Sequence, residues 1–213
     1  MEHDFWHNKW EIQQIGFHLD YIHPILKRSI GLFAAQKKVF VPLCGKSLDI
    51  GYLLGQGCQV VGVELSEIAV SELFEQLQLK PSISIWGQGK RYQAQDITIF
   101  VGDFFAITAA DLGNVAWVYD RGALIALPDE LRVRYSKHLD EIACHAPQLL
   151  ITLDYDQDIA SGPPFAISGD EVMVHYGQSY QVKLLEEADI IEDEPKFKAK
   201  GLPWFFQRAY HLC

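Results

Sequence analysis

At 213 residues, 49% of them hydrophobic, the chain is long enough to bury a full core and short enough for a single domain. Eighteen Lys and Arg against 28 Asp and Glu leave a net charge of −10, which repels phosphate backbones and anionic bilayers and argues against nucleic acid or membrane as partners. No apolar run nears the roughly 20 residues that cross a bilayer.

No charged-then-apolar leader occupies Met1–Asp20, and the four cysteines (Cys44, Cys58, Cys144, Cys213) show no paired spacing, so a reducing cytoplasm is the expected location. A monomer is the default expectation. The N-terminal segment gathers Phe5, Trp6, Trp10 and Phe17, either as a hydrophobic staple for the sheet or as a lid over a ligand. His3 and His7 stand at helical spacing without a Cys or acidic partner in a ligand pattern, and no metal is expected.

Short β-branched or apolar runs then alternate with helix-length segments. Lys38–Leu43, Val60–Glu64, Ile97–Gly102, Val115–Asp120 and Leu149–Asp154 read as strands. Ser47–Gln56, Ser66–Leu79 and Pro128–His145 read as helices, with Ser66 and Asp129 as caps. Gly87–Gln95 is polar and reads as a loop, and Arg132, Arg134, Lys137 and Glu141 read as the solvated face of their helix. After Asp154 come a Gly-Pro loop, a short helix Ser168–Tyr176, and two strand-like runs, Tyr180–Glu186 and Trp204–His211, that pair antiparallel at the edge. This alternation predicts a mainly parallel, seven-stranded α/β sheet with helices on both faces and an antiparallel C-terminal edge.

Ligands of open α/β sheets bind beyond the carboxyl ends of the strands. The first strand ends in Pro42-Leu43-Cys44-Gly45-Lys46-Ser47, where Gly45 lets the backbone approach a ligand at a helix N-terminus. A Walker A loop needs glycine where Phe40 stands, and no G-x-G-x-x-G surrounds Gly45, so a diphosphate is disfavoured. Glu64 follows Gly45 by nineteen positions at the end of the second strand. It either accepts ribose hydroxyls or is a solvated residue before a helix. Gly102-Asp103-Phe104-Phe105 offers an acceptor beside an aromatic, which suits adenine, or is an ordinary turn. The order of these features describes a nucleoside cofactor such as S-adenosylmethionine. Arg121, in Asp120-Arg121-Gly122-Ala123-Leu124, either holds a carboxylate in a forked contact, pairs with Asp120 or is a helix-face charge. A nucleophilic Cys44 is disfavoured, since no histidine is near it in sequence.

The motifs FVPLCGKSLD (Phe40–Asp49), VVGVELSE (Val60–Glu67), GDFF (Gly102–Phe105), YDRGAL (Tyr119–Leu124), LDYD (Leu153–Asp156) with GPPF (Gly162–Phe165), and PKFK (Pro195–Lys198) together resemble the bacterial-type thiopurine S-methyltransferase family over nearly the whole chain. The resemblance implies a Rossmann-like methyltransferase fold in one domain, residues 1–213, with residues 1–35 forming an aromatic-rich helical segment over the cofactor. It also implies S-adenosyl-L-methionine as donor, S-adenosyl-L-homocysteine as product, and a small aromatic or heterocyclic thiol as acceptor, with selenium and tellurium compounds as further acceptors. Carried over by position, it assigns Trp10, Leu43, Glu64 and Arg121 to the cofactor, Gly102 and Asp103 to its adenine side, and Phe17, Lys196, Lys198 and Lys200 to the acceptor. Gly45 joins the cofactor set.

Methyl transfer from a sulfonium needs alignment more than a covalent nucleophile. Arg121 or a lysine suffices to favour a thiolate, and Asp120 or Asp154 can serve as a base through water. Alternatives are a halide/thiol methyltransferase, a cofactor-binding protein without turnover, and, on the sheet and Glu64 alone, an NAD-dependent oxidoreductase.

Overall fold

A computed structural model describes residues 3–33 and 37–213; the ends of the expected 1–35 segment, and the side chain of His3, lie outside the described residues. The chain divides into two compact units, residues 2–117 and 118–213. Nine strands are present among the described residues, two more than the sequence reading counts.

The first unit opens with α1 (His3–Glu11) and α2 (Pro24–Ser29), whose N-cap is the buried His23. Strand β1 (Lys38–Val41), helix α3 (Leu48–Gly55), strand β2 (Gln59–Glu64) and helix α4 (Glu67–Gln76) follow as consecutive β/α pairs. Ser47 and Ser66 cap the two helices by accepting the amides of Asp49 and Ala69, leaving each helix N-terminus directly after a strand end. α4 buries Ala69, Val70, Leu73 and Phe74 along one stripe, the helical spacing of a core face. The remaining elements are β3 (Ser82–Trp86), β4 (Gly89–Ala94), β5 (Ile97–Val101) and the single turn α5 (Ala109–Leu112). The strand order is β3-β4-β5-β2-β1. β1, β2 and β5 run parallel, whereas β3 and β4 form an antiparallel hairpin on β5.

That hairpin replaces the loop expected at 87–95 and accounts for the two extra strands. β3 alternates serine with Ile83 and Ile85, the period-2 pattern of a strand, but both isoleucines are exposed, and β4 is mostly polar, so no long apolar run marks the pair. A two-residue turn, Gly87-Gln88, joins Trp86 to Gly89, with Gly87 at φ +54°. Glycine at the first central position of such a turn is the hairpin signal the polarity obscures.

The second unit contains β6 (Trp117–Arg121), which begins at the boundary, then α6 (Asp129–Ile142), β7 (Gln148–Asp154), α7 (Gly169–Tyr176), β8 (Val182–Asp189), α8 (Pro195–Lys198) and β9 (Phe206–Leu212). β6 and β7 are parallel, β9 returns antiparallel along β7, and β8 is antiparallel on β9, as the C-terminal pattern predicts. A second small core gathers Tyr155, Ala160, Ile191, Leu202 and Phe205, with Phe197 packed against it. Tyr155 and Phe205 stack at 5.2 Å.

Two readings of α6 are corrected. Pro128, not Asp129, is the N-cap, and Asp129 is the first helical residue. Arg132 is 3% exposed rather than solvated. It lies on the buried stripe with Tyr135, Ser136, Leu139 and Ile142, where the 3–4 spacing outweighs its charge. Its guanidinium contacts Asp129, forms an ion pair with Glu171 Oε1 (2.8 Å) and stands 5.9 Å from the Phe165 ring. No helix among the described residues is long and apolar enough to cross a membrane.

Candidate functional site

In the first unit the carboxyl ends of β1, β2 and β5 converge on Glu64. The Gly45 N–H donates to Glu64 Oε2 (2.8 Å) and the Ser66 N–H to Oε1 (2.8 Å). The Gly102 N–H donates to the Glu64 carbonyl (2.9 Å), and the Cys44 N–H to the carbonyl of Val63 (3.0 Å). One carboxylate therefore ties the turn after β1 to its own strand end, and its carbonyl ties down the turn after β5.

Glu64 is buried, and burial pushes its carboxyl above the usual range against the opposing pull of the Ser66 and Gly45 amides. The Leu65 amide pulls the same way, and the roughly four acceptor sites of a carboxylate leave capacity for a ligand hydroxyl. The neighbouring Cys44 thiol is raised well above its ordinary value, by burial first and then by the charge on Glu64. A thiol held neutral in this way is not an effective nucleophile.

The turn itself departs from ordinary geometry. Leu43, a side chain with a Cβ, adopts φ +45°, and Gly45 follows at +53°. Left-handed conformations at non-glycine residues cost about 1–3 kcal/mol and cluster where a backbone is shaped for a ligand. A Cβ on Gly45 would meet the Trp10 ring at 3.3 Å, so glycine is favoured here by both dihedral and neighbour.

Trp10 is 2% exposed. It packs edge-on to Phe17 at 5.5 Å, and Phe17 meets Trp6 at the same distance. Glu72 on α4 accepts from Lys46 Nζ (2.7 Å) and from Gln13 Nε2 (3.4 Å), which ties the segment after α1 to the Gly45 turn. After β5, the Asp103 side chain accepts the Phe105 N–H (3.0 Å) and caps a 3₁₀ turn over Phe104–Ala106. Trp10, Phe17, Leu43, Gly45, Glu64, Gly102 and Asp103 thus fall on one group of connected segments.

The remaining candidates lie in the second unit. Arg121 is the last residue of β6, paired in register with Ile151 of β7. Asp120 is completely buried and engaged on both oxygens. Asp154, at the end of β7, is paired with Arg208, which also holds Glu187. The lysine contacts are local to the segment 192–200: Lys198 pairs with Glu192, Lys200 lies 5.3 Å over the Phe197 ring, and Lys196 acts electrostatically on Glu194. Sequence reasoning misses Arg132 and Tyr135, both carried by the inward stripe of α6.

The model of the thiopurine S-methyltransferase family matches residues 1–213. The thiopurine S-methyltransferase of Pseudomonas fluorescens is 44% identical over 214 residues, covering 100% of this chain and 99% of that one. That of Teredinibacter turnerae is 49% identical over 187 residues, 87% of each chain. Among solved structures, an S-adenosylmethionine-dependent methyltransferase from Anabaena variabilis is similar with a TM-score of 0.63 at 13% identity, over 99% of this chain and 95% of that one. The 1,6-didemethyltoxoflavin-N1-methyltransferase of Burkholderia thailandensis, solved with S-adenosylhomocysteine, gives 0.61 at 13% identity, over 99% and 86%. These distant structures establish a methyltransferase-type α/β fold. With the family model spanning the whole chain and near-full-length relatives above two-fifths identity, the chain belongs to the thiopurine S-methyltransferase family.

Proposed function

We propose that the chain is a thiopurine-type S-methyltransferase that acts on small aromatic or heterocyclic thiols, with selenium and tellurium compounds as further acceptors. The reaction class is that of an S-adenosylmethionine-dependent methyltransferase. The observation that carries the cofactor's placement is the buried Glu64 carboxylate, fixed by the Gly45 and Ser66 amides with acceptor capacity left over. Hydroxyl donors on a ribose fit such a group, whereas a diphosphate would be repelled by it.

Glu64 receives the ribose, the Leu43–Gly45 turn supports the methionine-bearing part, Gly102 and Asp103 flank the adenine, and Trp10 closes over the turn. The family resemblance adds Arg121 to the cofactor and Phe17, Lys196 and Lys200 to the acceptor. When bound, S-adenosylmethionine supplies an electrophilic methyl group. The chain's own contribution is to hold the acceptor in line and to favour its thiolate through positive charge, an effect of alignment worth several kcal/mol. Of the two carboxylates considered as bases, Asp154 is paired with Arg208 and Asp120 is occupied by protein donors, and an acidic aromatic thiol, largely thiolate at neutral pH, needs neither. We place the enzyme in the cytoplasm, a reading that cysteines without paired spacing favour, and take it as a monomer.

The test is transfer of labelled methyl from S-adenosylmethionine to a mercaptopurine, run beside selenite, tellurite and iodide. Thiol-dependent methylated product is expected. Iodide-dependent methyl iodide as the dominant product would transfer the chain to the halide/thiol type, and cofactor binding with no product from any acceptor would favour a protein without turnover.

A further inference from the structure

The turn that follows β6 is organised around a group that the mechanism leaves unused. Asp120 is 0% exposed. Its Oδ1 accepts the amides of Ala123 and Leu124 (3.2 Å each), and its Oδ2 accepts the hydroxyl of Tyr135 (2.7 Å), itself completely buried. Between these contacts the chain reverses through Gly122 at φ +104° and enters a 3₁₀ turn over Leu124–Ala126. The residue that opens this turn is Arg121. A buried carboxylate is an expensive way to cap a turn, because ionised oxygen loses its hydration on burial and regains it only through the donors around it.

We infer that Asp120, braced by Tyr135 of α6, is a positioning residue for the reaction: its carboxylate fixes the backbone turn that presents Arg121 to the cofactor. The inference rests on the proposed assignment of Arg121 to the cofactor.

The groups facing Asp120 are Tyr135 from α6 and Tyr176 from α7, with Arg121 adjacent on its own strand. Both tyrosine hydroxyls are held neutral by burial first, with the charge on Asp120 pushing the same way. Burial also raises Asp120 itself, to about 6, against the Tyr135 hydroxyl and the two amides, which favour the charged form. Above that pH the ionised carboxylate grips Ala123 and Leu124. As pH falls through it, the carboxylate is protonated, its acceptor strength drops and the turn loosens. Because the folded-state value is raised, the ionised form is the one that folding disfavours, so the same protonation does not by itself unfold the chain.

The test is the affinity for S-adenosylhomocysteine, measured by calorimetry from roughly pH 5 to 8 around the range where such a group titrates. The wild type is expected to bind several-fold more weakly below the inflection than above it. D120N is expected to bind at the weak level throughout, without that step. Y135F removes a donor from the charged form and shifts the inflection to higher pH, an effect that loss of packing alone does not produce. R121A abolishes the step, since the turn then has nothing to present. An unmoved inflection in Y135F together with a step retained in D120N would overturn the positioning role. Absence of S-adenosylhomocysteine binding at every pH in the wild type would overturn the functional reading, and this inference with it.

Discussion

Glu64→Gln is expected to lower the affinity for S-adenosylhomocysteine by about 10- to 100-fold while leaving a folded protein. A hydrogen bond to a charged acceptor contributes about 1.5–3 kcal/mol, and each 1.4 kcal/mol is tenfold in affinity. Glutamine keeps one oxygen for the Gly45 or the Ser66 amide, and turns an NH2 toward the other. The structural loss is one unsatisfied amide, about 1–3 kcal/mol, offset in part because the variant no longer buries a charge that burial disfavours. Calorimetric titration and thermal melting of the same sample separate the two effects. A large loss of binding with a small loss of melting temperature identifies a ligand acceptor, and unchanged affinity would reduce Glu64 to a clasp between two turns. The raised folded-state value of Glu64 adds a sign: binding that needs its ionised form weakens as pH falls through that value.

Arg132→Ala is expected to destabilise the protein by about 2–3 kcal/mol, toward the lower end for breaking a buried pair because Glu171 stays partly exposed. For a chain of this size that corresponds to a melting temperature lower by roughly 4–12 °C. Four interactions go at once: the contact with the exposed Asp129, the Glu171 pair, the bond to the Ala166 carbonyl (3.4 Å) and the packing on Phe165. Glu171 retains His175 Nε2 at 3.2 Å, so it is not left bare. The double variant R132A/E171A should cost less than the sum of the singles, because the second removal takes away a charge already deprived of its partner. Strict additivity in denaturant melts would mean that the pair contributes nothing beyond its separate contacts.

The parallel strands are legible in the sequence because each is a short run of apolar residues buried on both faces, and β2, from Gln59 to Glu64, is the plainest case. The position of Glu64 is legible for the same reason: a charged residue that ends such a run must lie at the strand's mouth. Ser66 is legible as a cap because serine before an apolar stripe has few other uses.

What is missed lacks a burial signature or carries a misleading one. The β3–β4 hairpin buries little apolar surface, and its cues are the short Ser-Ile alternation of β3 and Gly87 in the turn. Arg132 is misjudged by charge although its spacing from Tyr135 and Leu139 places it on the inward stripe. The double engagement of Glu64 by Gly45 and Ser66, and of Asp120 by its own turn and Tyr135, depends on three-dimensional closure that no local pattern encodes. The left-handed Leu43 is likewise invisible in sequence, since leucine carries no preference for that conformation.

A crystal structure of the chain with S-adenosylhomocysteine bound tests the placement of the site most directly. The expected result has the ribose hydroxyls on the Glu64 carboxylate, the adenine beside Gly102 and Asp103, and the Leu43–Gly45 turn against the amino-acid part of the ligand. A nucleoside bound elsewhere, with the Glu64 oxygens contacting only the amides of Gly45 and Ser66, would contradict it.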